Sequence, residues 1–534
     1  MNENRWWQNG VIYQIYPRSF YDTNHDGIGD IPGIIAKLDY LHDLGVDALW
    51  LSPVYPSPQV DFGYDVSDYT DIDAKFGTLE DFKTLLAQAH QRGIRIILDL
   101  VLNHTSDRHP WFRESRSSRD NPKRDWYLWR DPAPGGSPPN NWASWFGGSG
   151  WEWDASTGQY YFHMFYKEQP DLNWRNPQVV EEIRRIFRFW CDLGMDGFRL
   201  DVFNVYLKHA DLPANPPKPG LRTFDRQVHL HDINQPELVP ALQEIRSILD
   251  EYPGRFAVGE TFLDPEGRTE NYVGEDKLHA VFNFRLANSP WKTRRILDAV
   301  LQWQNELPVH ALPTWVLNNH DLPRAATRFG RRENDQRLKQ AAALLLTLRG
   351  TSFLYYGEEI GMRDIPVGRS EIKDRVGRRY WPLFKGRDGC RSPMQWDAGR
   401  NAGFSTDEPW LPVHANYPLR NAARQAEEPT SLLNFYKALI RLRRQHSSIQ
   451  HGLFLPLNPR PFSILAYLRQ TDEETILVAL NFSRRSLKLT LGERLAASRW
   501  QVLLSSHANS DELPPARSIA LHAEETLILK LIKR

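Results

Sequence analysis

The chain has 534 residues, of which 41% are hydrophobic, and it carries 66 basic and 66 acidic side chains. This length exceeds one average domain and allows a large buried core. Because the charge is balanced and no apolar segment is long enough to span a bilayer, we expect neither a nucleic-acid partner nor a membrane partner.

Cysteine content and the N-terminal residues bear on the compartment. Two cysteines, Cys191 and Cys390, are too few for a disulfide framework in a chain of this length, which favours a reducing compartment. The residues after Met1 do not form a basic region followed by an apolar run, so no signal peptide is predicted. We therefore expect a cytoplasmic protein that is a monomer or a weak homo-oligomer.

A polar loop follows the first predicted strand, residues 11–15. Oxygen-bearing side chains stand at alternate positions in it, at Asp22, Asn24 and Asp26, and again at Asp30. Such spacing, with glycines for tight turns, suits a loop that wraps a hard cation such as calcium or magnesium. The twelfth position is Gly33 and not glutamate, so the loop is not an EF-hand. A polar Asx-turn loop without metal is the alternative.

Strands and helices then alternate along the chain. Ile34 to Leu44 has helical spacing, and Gly45 ends that helix, while residues 48–51 and 95–100 are continuous apolar runs. Such runs are typical of a parallel sheet that is covered on both faces. Further strands are predicted near residues 197–201, 256–260, 280–282, 314–317 and 351–356. The pattern predicts a (β/α)8 barrel with functional groups at the strand ends.

Two segments depart from this alternation. Residues 105–171 are rich in Trp, Pro, Gly and Asn, which indicates an inserted domain after the third strand. After about residue 447, strands follow one another without helices, which predicts a C-terminal antiparallel β-sandwich domain. The predicted division is therefore 1–104 and 172–447 for the barrel, 105–171 for the inserted domain B, and 448–534 for the C-terminal domain.

Three acids stand at the ends of core strands: Asp201, Glu260 and Asp321. Strand ends of one barrel converge on one face, so these carboxylates are expected to share a site. Two carboxylates in one pocket meet the requirement of glycoside hydrolysis. Arg199, on the same face of its strand as Asp201, would hold that carboxylate ionised. Glu260 has no adjacent cation in sequence and is the better proton donor. Taken singly, each acid is better explained as structural.

The strand-end motifs resemble those of the α-amylase family, glycoside hydrolase family 13, in its α-glucosidase and oligo-1,6-glucosidase branch. The resemblance covers nearly the whole chain and rests on five motifs in the family's order: Asp99-Leu-Val-Leu-Asn-His104, Gln169-Pro-Asp-Leu-Asn173, Gly197-Phe-Arg-Leu-Asp201, Val258-Gly-Glu260 and Asn318-Asn-His-Asp321. It implies a calcium-binding or, as second choice, magnesium-binding loop.

The resemblance also implies a role for each site residue. Asp201 would be the nucleophile, Glu260 the general acid and base, and Asp321 the stabiliser of the transition state. Substrate contacts would come from a wider set: Asp61, Tyr64, His104, Arg199, His320 and Arg391. Of these, Asp61 and Arg391 would hold the non-reducing end of the sugar, and Tyr64 would offer a stacking platform. The metal ligands would be Asp22, Asn24, Asp26, the Ile28 carbonyl and Asp30.

Linkage preference is predicted from one position. Members of the family that resemble oligo-1,6-glucosidase carry valine directly after the nucleophile, and this chain has Val202. We therefore expect an exo-acting, retaining α-glucosidase that favours α-1,6 over α-1,4 linkages in a small oligosaccharide or disaccharide. Phe203 and residues 206–220 resemble α-glucosidases that transfer glucose. The alternatives are an α-1,4-preferring transglucosylating enzyme, a sucrose- or maltose-isomerising transglucosylase, and a non-catalytic binding protein on the same barrel.

Overall fold

The structure, a computed structural model, describes residues 5–261, 269–308, 311–330, 334–507 and 511–532. The chain separates into two compact units. One comprises Met1–Leu49, Gln88–Ile94 and Asn283–Arg534, and the other comprises Trp50–Ala87 and Arg95–Phe282. Each unit therefore gathers segments that are distant in sequence.

Strands and helices alternate through most of the described residues. The strands are β1 Val11–Ile15, β2 Ala48–Leu51, β3 Arg95–Leu100, β4 Trp129–Arg130, β5 Trp151–Asp154, β6 Gln159–Phe162, β7 Gly197–Leu200, β8 Phe256–Gly259, β9 Ala280–Val281, β10 Thr314–Val316, β11 Thr351–Tyr355, β12 Leu453–Pro456, β13 Ile464–Gln470, β14 Thr475–Asn481, β15 Leu487–Thr490, β16 Arg499–Ser505, β17 Glu512–Leu513, β18 Ser518–Leu521 and β19 Thr526–Ile532.

The α-helices alternate with the strands or lie between them as far as residue 451, and α15 (Glu493–Ala496) is the one α-helix among the described residues after that point. They are α1 Ile31–Ala36, α2 Leu38–Leu44, α3 Leu79–Gln91, α4 Pro110–Ser117, α5 Pro177–Asp192, α6 Leu238–Asp250, α7 Arg285–Asn288, α8 Thr293–Glu306, α9 Ala325–Arg328, α10 Gln336–Thr347, α11 Arg375–Tyr380, α12 Ala422–Glu427, α13 Leu432–Gln445, α14 Ser447–His451 and α15 Glu493–Ala496.

Both units contain parallel strands that are buried along their length. In the unit that includes the chain's C-terminal half, β1 pairs with β11 and β11 with β10. In the other unit, β7 lies between β3 and β8, and β8 pairs with β9. Every residue of β1, β7, β8 and β11 is buried, which is why these strands read as continuous apolar runs. The same unit as β7 holds the insertion, an antiparallel sheet in the order β4-β6-β5.

The C-terminal strands form an antiparallel domain, as the sequence predicts. A six-stranded sheet has the order β12-β13-β14-β19-β16-β17, and β15 pairs with β18. One cluster of buried side chains fills this domain, with Leu477, Trp500, Leu521 and Leu529 at its centre. Burial of that apolar surface is the main term that stabilises it.

Helix α5 shows how local sequence positions the strand that carries the central motif. The Asn176 side chain accepts a hydrogen bond from the Gln178 N–H and so caps the helix, and Pro177 occupies its first turn. Val179, Ile183, Phe187 and Trp190 are all buried on one face, as predicted from their spacing. The cap and the apolar spacing therefore account for the helix that directly precedes β7 in the chain.

One predicted helix is divided in the structure. The segment from residue 34 to residue 44 is not continuous, because Lys37, with φ −107° and ψ 7°, separates α1 from α2. The Asp30 side chain caps α1 by accepting from the Gly33 N–H, as expected. None of the helices in the described part of the chain combines the length and apolar character needed to cross a membrane.

Candidate active site

One buried guanidinium joins three carboxylates in the unit that contains β3, β7 and β8. Arg199 Nη1 donates to Asp99 Oδ1 at 2.7 Å and to Asp201 Oδ1 at 2.6 Å, and Nη2 donates to Glu260 Oε2. The register explains the contact, because Arg199 lies opposite Asp99 on β3 and opposite Val258 on β8. The side chains of Arg199 and Asp99 are fully buried. A charge-assisted network of this kind holds its members in fixed positions.

The contact between Arg199 and Glu260 differs from the sequence prediction. No cation is adjacent to Glu260 in sequence, which favours it as the proton donor, but the neighbouring parallel strand supplies a cation. Arg199 is two residues from Asp201 and 61 residues from Glu260, yet one guanidinium reaches both carboxylates. The arginine therefore orients both acids and not only the predicted nucleophile.

Asp99 is a site residue that the sequence reasoning did not assign. Its carboxylate accepts from the Tyr64 hydroxyl at 3.1 Å and from Trp50 Nε1–H at 3.3 Å. Burial and, to a smaller extent, the Asp201 charge raise the pKa of Asp99 to about 7, against the lowering effect of Arg199. A charged residue inside an otherwise apolar strand was the signal that could have revealed it.

Backbone hydrogen bonds tie the ends of β3, β7 and β8 together. The Asp201 N–H donates to the Leu100 carbonyl at 3.0 Å, and the Glu260 N–H donates to the Leu200 carbonyl at 2.9 Å. The Phe203 N–H in turn donates to the Glu260 carbonyl at 3.2 Å. Strand ends that are bonded in this way place the two acids at the carboxyl ends of neighbouring strands.

Val202, directly after Asp201, has an unusual backbone. Its φ is +38° and its ψ is 40°, which is the left-handed region that a β-branched residue rarely adopts. Such strain costs on the order of 1–3 kcal/mol and persists only where the surroundings impose it. The side chain is only 6% exposed. The chain therefore turns sharply at the residue that separates Asp201 from the following helical turn.

A second cluster in the same unit surrounds His104. Its Nε2 lies 2.9 Å from the Tyr64 carbonyl oxygen and 3.1 Å from Gln169 Nε2. Gln169 Nε2–H also donates to Asp61 Oδ2 at 3.3 Å. The structure thus brings together Asp61, Tyr64 and His104, which the sequence predicted, and adds Gln169, which stood in a quoted motif without a role. Their side chains offer amide, imidazole and carboxylate groups to a polar ligand.

A buried ion pair supports the position of His104. Lys208 Nζ contacts Asp171, and it also donates to Asn103 Oδ1 at 2.8 Å. Asn103 Nδ2 donates to Asp171 Oδ2 at 3.0 Å and lies 3.2 Å from His104 Nδ1. These buried polar groups satisfy one another, so the end of β3 is held rigidly.

In the other unit, the structure places Asp321 beside two arginines. Arg391 Nη2 donates to Asp321 Oδ1 at 2.7 Å, and Arg391 Nε donates to the His320 carbonyl at 2.8 Å. Arg387 Nη1 lies 3.4 Å from Asp321 Oδ1. The Asp321 side chain is 36% exposed, whereas that of Arg391 is fully buried. Arg391 therefore holds Asp321 from a fully buried position. Arg387, four residues earlier, is a more accessible cation that the sequence reasoning did not identify.

His320 is held from its other side. Its Nδ1 lies 2.8 Å from Gln14 Nε2, and its ring stacks on Tyr16 with the ring centroids 6.0 Å apart. The turn that presents Asp321 is fixed because Asn319 Oδ1 accepts from the N–H groups of Asp321 and Leu322, both at 2.9 Å. His320 and Asp321 are therefore preorganised by residues of their own unit.

The predicted metal loop carries its acids in two settings. Asp22 and Asp30 are buried, and all of their hydrogen bonds with described residues come from uncharged donors such as the His25, Gly27 and Gly33 N–H groups. Asp26 is exposed, and its Oδ1 accepts from the Ile28 N–H at 2.8 Å. Among the described residues, no three acidic, histidine or cysteine side chains lie close enough together to hold a metal.

Two features of this loop bear on the choice between a metal and an Asx turn. Asn24 Oδ1 accepts a hydrogen bond at 3.1 Å from the Asp26 N–H, two residues on, and Asp26 Oδ1 accepts one from the Ile28 N–H, which is the pattern of Asx turns. The buried carboxylates of Asp22 and Asp30 nevertheless lack a cationic partner among the described residues, and a hard cation would supply one. The oxygen atoms that this loop offers are of the type that binds a hard cation.

Comparisons with known proteins assign the family. The family model of the alpha amylase catalytic domain matches residues 14–452, and that of the maltogenic amylase C-terminal domain matches residues 454–515. An oligo-1,6-glucosidase of Parageobacillus thermoglucosidasius is 42% identical, with 99% of each chain covered. An alpha-glucosidase of Pediococcus pentosaceus is 43% identical over 84% of this chain and 86% of the relative.

Solved structures agree with this assignment. An alpha-glucosyl transfer enzyme matches with a TM-score of 0.90 and a sequence identity of 39%. The trehalulose synthase of Pseudomonas mesoacidophila matches with a TM-score of 0.91 and a sequence identity of 36%. In both comparisons, 99% of each chain is covered. The predicted fold class is thereby confirmed: a (β/α)8 barrel with an inserted domain after the third strand and a C-terminal antiparallel β domain. The chain belongs to the α-amylase family and is a glycoside hydrolase.

Proposed function

We propose that the chain is an exo-acting, retaining α-glucosidase that releases glucose from the non-reducing end of short α-glucosides. The observation that carries this proposal is the shared guanidinium of Arg199, whose two terminal nitrogens bind Asp201 and Glu260. A shared guanidinium keeps the two carboxylates in one site, and retaining glycosidases use two carboxyl groups about 5–5.5 Å apart. Inverting enzymes need a wider gap that admits a water molecule.

In the proposed mechanism, Asp201 attacks the anomeric carbon of glucose and forms a covalent glucosyl ester. Glu260 gives its proton to the glycosidic oxygen as that bond breaks, so the leaving group departs as a neutral alcohol. The glutamate then takes a proton from water, whose oxygen attacks the same carbon and releases Asp201. Arg199 stabilises the carboxylate of Asp201 before it attacks and the carboxylate of Glu260 after it has given up its proton.

The remaining site residues are proposed to bind the glucose unit. Asp321 accepts hydrogen bonds from sugar hydroxyls and stabilises the positive transition state, with His320 beside it and Arg391 fixing its orientation. Asp61, Tyr64 and His104 are proposed to contact the non-reducing end. The burial of Arg391 supports a role through Asp321 and not a direct grip on the sugar. Arg387 is the cation better exposed for that grip.

We further propose that α-1,6 linkages are favoured over α-1,4. The support is Val202, whose side chain stands directly after the proposed nucleophile, together with relatives named oligo-1,6-glucosidase. A second candidate function is glucosyl transfer to a sugar acceptor, with the same covalent intermediate. It is favoured by the solved structures of an alpha-glucosyl transfer enzyme and a trehalulose synthase.

The loop of residues 22–30 is proposed to bind Ca²⁺, or Mg²⁺ as second choice, through oxygens of Asp22, Asn24, Asp26 and Asp30 and the Ile28 carbonyl. When bound, the ion would neutralise buried carboxylates and stiffen the loop. The two free, buried cysteines support the proposed cytoplasmic location, and we propose a monomer or weak homo-oligomer.

The test of the catalytic proposal is hydrolysis of maltose, isomaltose, sucrose and trehalose, with product anomers followed by NMR. We expect glucose released first as the α-anomer, with isomaltose turned over faster than maltose. Asp201→Asn should abolish turnover, by at least about 10⁴-fold, while the melting temperature remains close to that of the wild type. The matched control Asp120→Asn changes an exposed aspartate in the same way and should be fully active. Unchanged turnover in Asp201→Asn would remove the assignment, and predominantly isomerised sucrose would favour the second candidate.

A further inference from the structure

One buried ammonium group contacts the turn that follows the proposed nucleophile. The side chain of Lys208 is 1% exposed, and its ammonium group donates to three acceptors: the Val205 carbonyl at 2.5 Å, Asn103 Oδ1 at 2.8 Å and the carboxylate of Asp171. These acceptors belong to the turn after β7, the segment after β3 and the end of the insertion. Because an ammonium group has three donors, every hydrogen bond that Lys208 can donate is made.

The turn that Lys208 contacts begins at the strained Val202. This residue, with φ +38°, directly follows Asp201, and its carbonyl accepts from the Val205 N–H at 3.0 Å. A left-handed backbone at a β-branched residue persists only where the surroundings impose it. Lys208 binds the Val205 carbonyl at the far end of this turn. Release of that carbonyl would let Val202 relax, and Asp201, which shares a peptide bond with Val202, would move.

Two uncharged contacts hold the same turn. The Phe203 N–H donates to the Glu260 carbonyl at 3.2 Å. The Tyr206 ring stacks on Trp174 with the ring centroids 4.5 Å apart, and Trp174 Nε1–H donates to the Leu102 carbonyl at 2.8 Å. These contacts would keep the turn folded without the lysine, whose ammonium group adds a charge-assisted contact with a fixed direction.

The part of the site that is proposed to bind the sugar has contacts that do not involve Lys208. His104 Nε2 lies 2.9 Å from the Tyr64 carbonyl oxygen and 3.1 Å from Gln169 Nε2. Asn103, the neighbour of His104, also donates to Asp171 without help from the lysine. Loss of the ammonium group would therefore disturb Asp201 more than it disturbs His104.

We propose that Lys208 is a positioning residue for the nucleophile: its ammonium group holds the turn of residues 202–205 against the segment after β3 and so keeps Asp201 oriented for attack on the sugar. The inference rests on the proposed α-glucosidase activity and adds a residue that serves this activity without touching the substrate. It predicts that loss of Lys208 slows the attack by Asp201 and leaves the affinity for the sugar nearly unchanged.

The test measures attack by Asp201 directly, with 5-fluoro-α-D-glucosyl fluoride as the probe. An oxygen of the Asp201 carboxylate bonds to the anomeric carbon, the carbon–fluorine bond breaks and fluoride ion leaves; the 5-fluoro substituent slows hydrolysis of the ester, which is counted by mass spectrometry. In Lys208→Met, we expect the labelling rate constant at saturation to fall at least about tenfold. The probe concentration that gives half of this rate should change less than about twofold.

A second variant and a control separate positioning from stability. Lys208→Met leaves the buried carboxylate of Asp171 without its cation, which can prevent folding, so Lys208→Met/Asp171→Asn removes both charges and should show the same loss of rate. The control, Arg116→Met, breaks another ion pair of the same unit, in which Arg116 Nε donates at 2.8 Å to the fully buried Asp154 carboxylate. It should lower the melting temperature and leave the labelling rate unchanged.

Labelling of a folded Lys208 variant at the wild-type rate would overturn the proposal. An equal fall in rate in Arg116→Met would also overturn it, because the effect would then belong to stability. A wild type that the probe does not label at Asp201 would refute the proposed function itself, which separates the two failures.

Discussion

A pair of buried glutamates after β11 gives a quantitative prediction for stability. Glu358 Oε1 accepts from the Tyr436 hydroxyl at 3.0 Å, and Glu359 Oε1 accepts from the hydroxyls of Tyr13 and Tyr40 at 2.8 and 2.7 Å. Burial raises the pKa of Glu358 from 4.5 to about 8; the Tyr436 hydroxyl and Arg328 oppose the rise, and the Glu359 charge adds to it. The perturbation that tests this is Glu358→Gln, which keeps the size of the side chain and removes its titration.

The sign and size follow from proton linkage. Between pH 4.5 and about 8, the folded chain keeps a proton on Glu358 that the unfolded chain has lost, so stability falls as the pH rises. One such group changes the free energy of unfolding by at most about 1.4 kcal/mol per pH unit. From pH 5.5 to 7.5 the loss is therefore about 2–3 kcal/mol, and the glutamine variant does not undergo it.

The assay is differential scanning calorimetry of both proteins at half-unit pH steps across this window. We expect the melting temperature of Glu358→Gln to rise relative to the wild type as the pH increases, with the smallest difference at the acid end. Glu473→Gln makes the same chemical change at an exposed position and should follow the wild type throughout. A difference between Glu358→Gln and wild type that is constant with pH would refute the reasoning, because a lost contact without titration gives that result.

Three further predictions concern the site and its supports. Val202→Thr should raise activity on maltose relative to isomaltose by up to about tenfold, measured as a ratio of kcat/KM values, and an unmoved ratio would leave the α-1,6 preference without support. Gly259→Ala would place a Cβ 2.5 Å from a Phe203 ring atom and 2.6 Å from Leu278 Cδ1. We therefore expect the free energy of unfolding, measured in urea, to fall by about 1–3 kcal/mol and kcat to decrease. Wild-type values of both would contradict the close packing. EDTA should lower the melting temperature, Ca²⁺ should restore it, and no shift, together with no metal in elemental analysis, would identify the loop of residues 22–30 as an Asx-turn loop.

Several elements were predictable because their signals are local. The cap at Asn176 with Pro177, and the stop at Gly45 with φ +91°, follow from backbone chemistry that needs no distant partner. The buried strands were recognisable as apolar runs, since parallel strands are covered on both faces. The break at Lys37 was not predictable in this way, because the apolar spacing continues across it.

The electrostatics of the site were predictable only in part. Spacing along one strand placed Arg199 and Asp201 on one face, and the structure confirms their contact at 2.6 Å. The contacts of Arg199 with Asp99 and Glu260 depend on the register of neighbouring strands, which no local pattern states. For the same reason, the sequence did not distinguish the buried Arg391 from the partly exposed Arg387.

By itself, the sequence determined the family, the alternation of strands and helices, and the residue types that the reaction needs, because these depend on motifs and on periodicity along the chain. The tertiary structure decided which charges meet. It placed one guanidinium among three acids, put strain at Val202, and set Arg387 between Asp321 and Asp374. The contacts of Arg199 with Asp99 and Glu260, and of Arg387 with Asp321, join residues that are far apart in sequence, so strand pairing and burial fix them and composition does not.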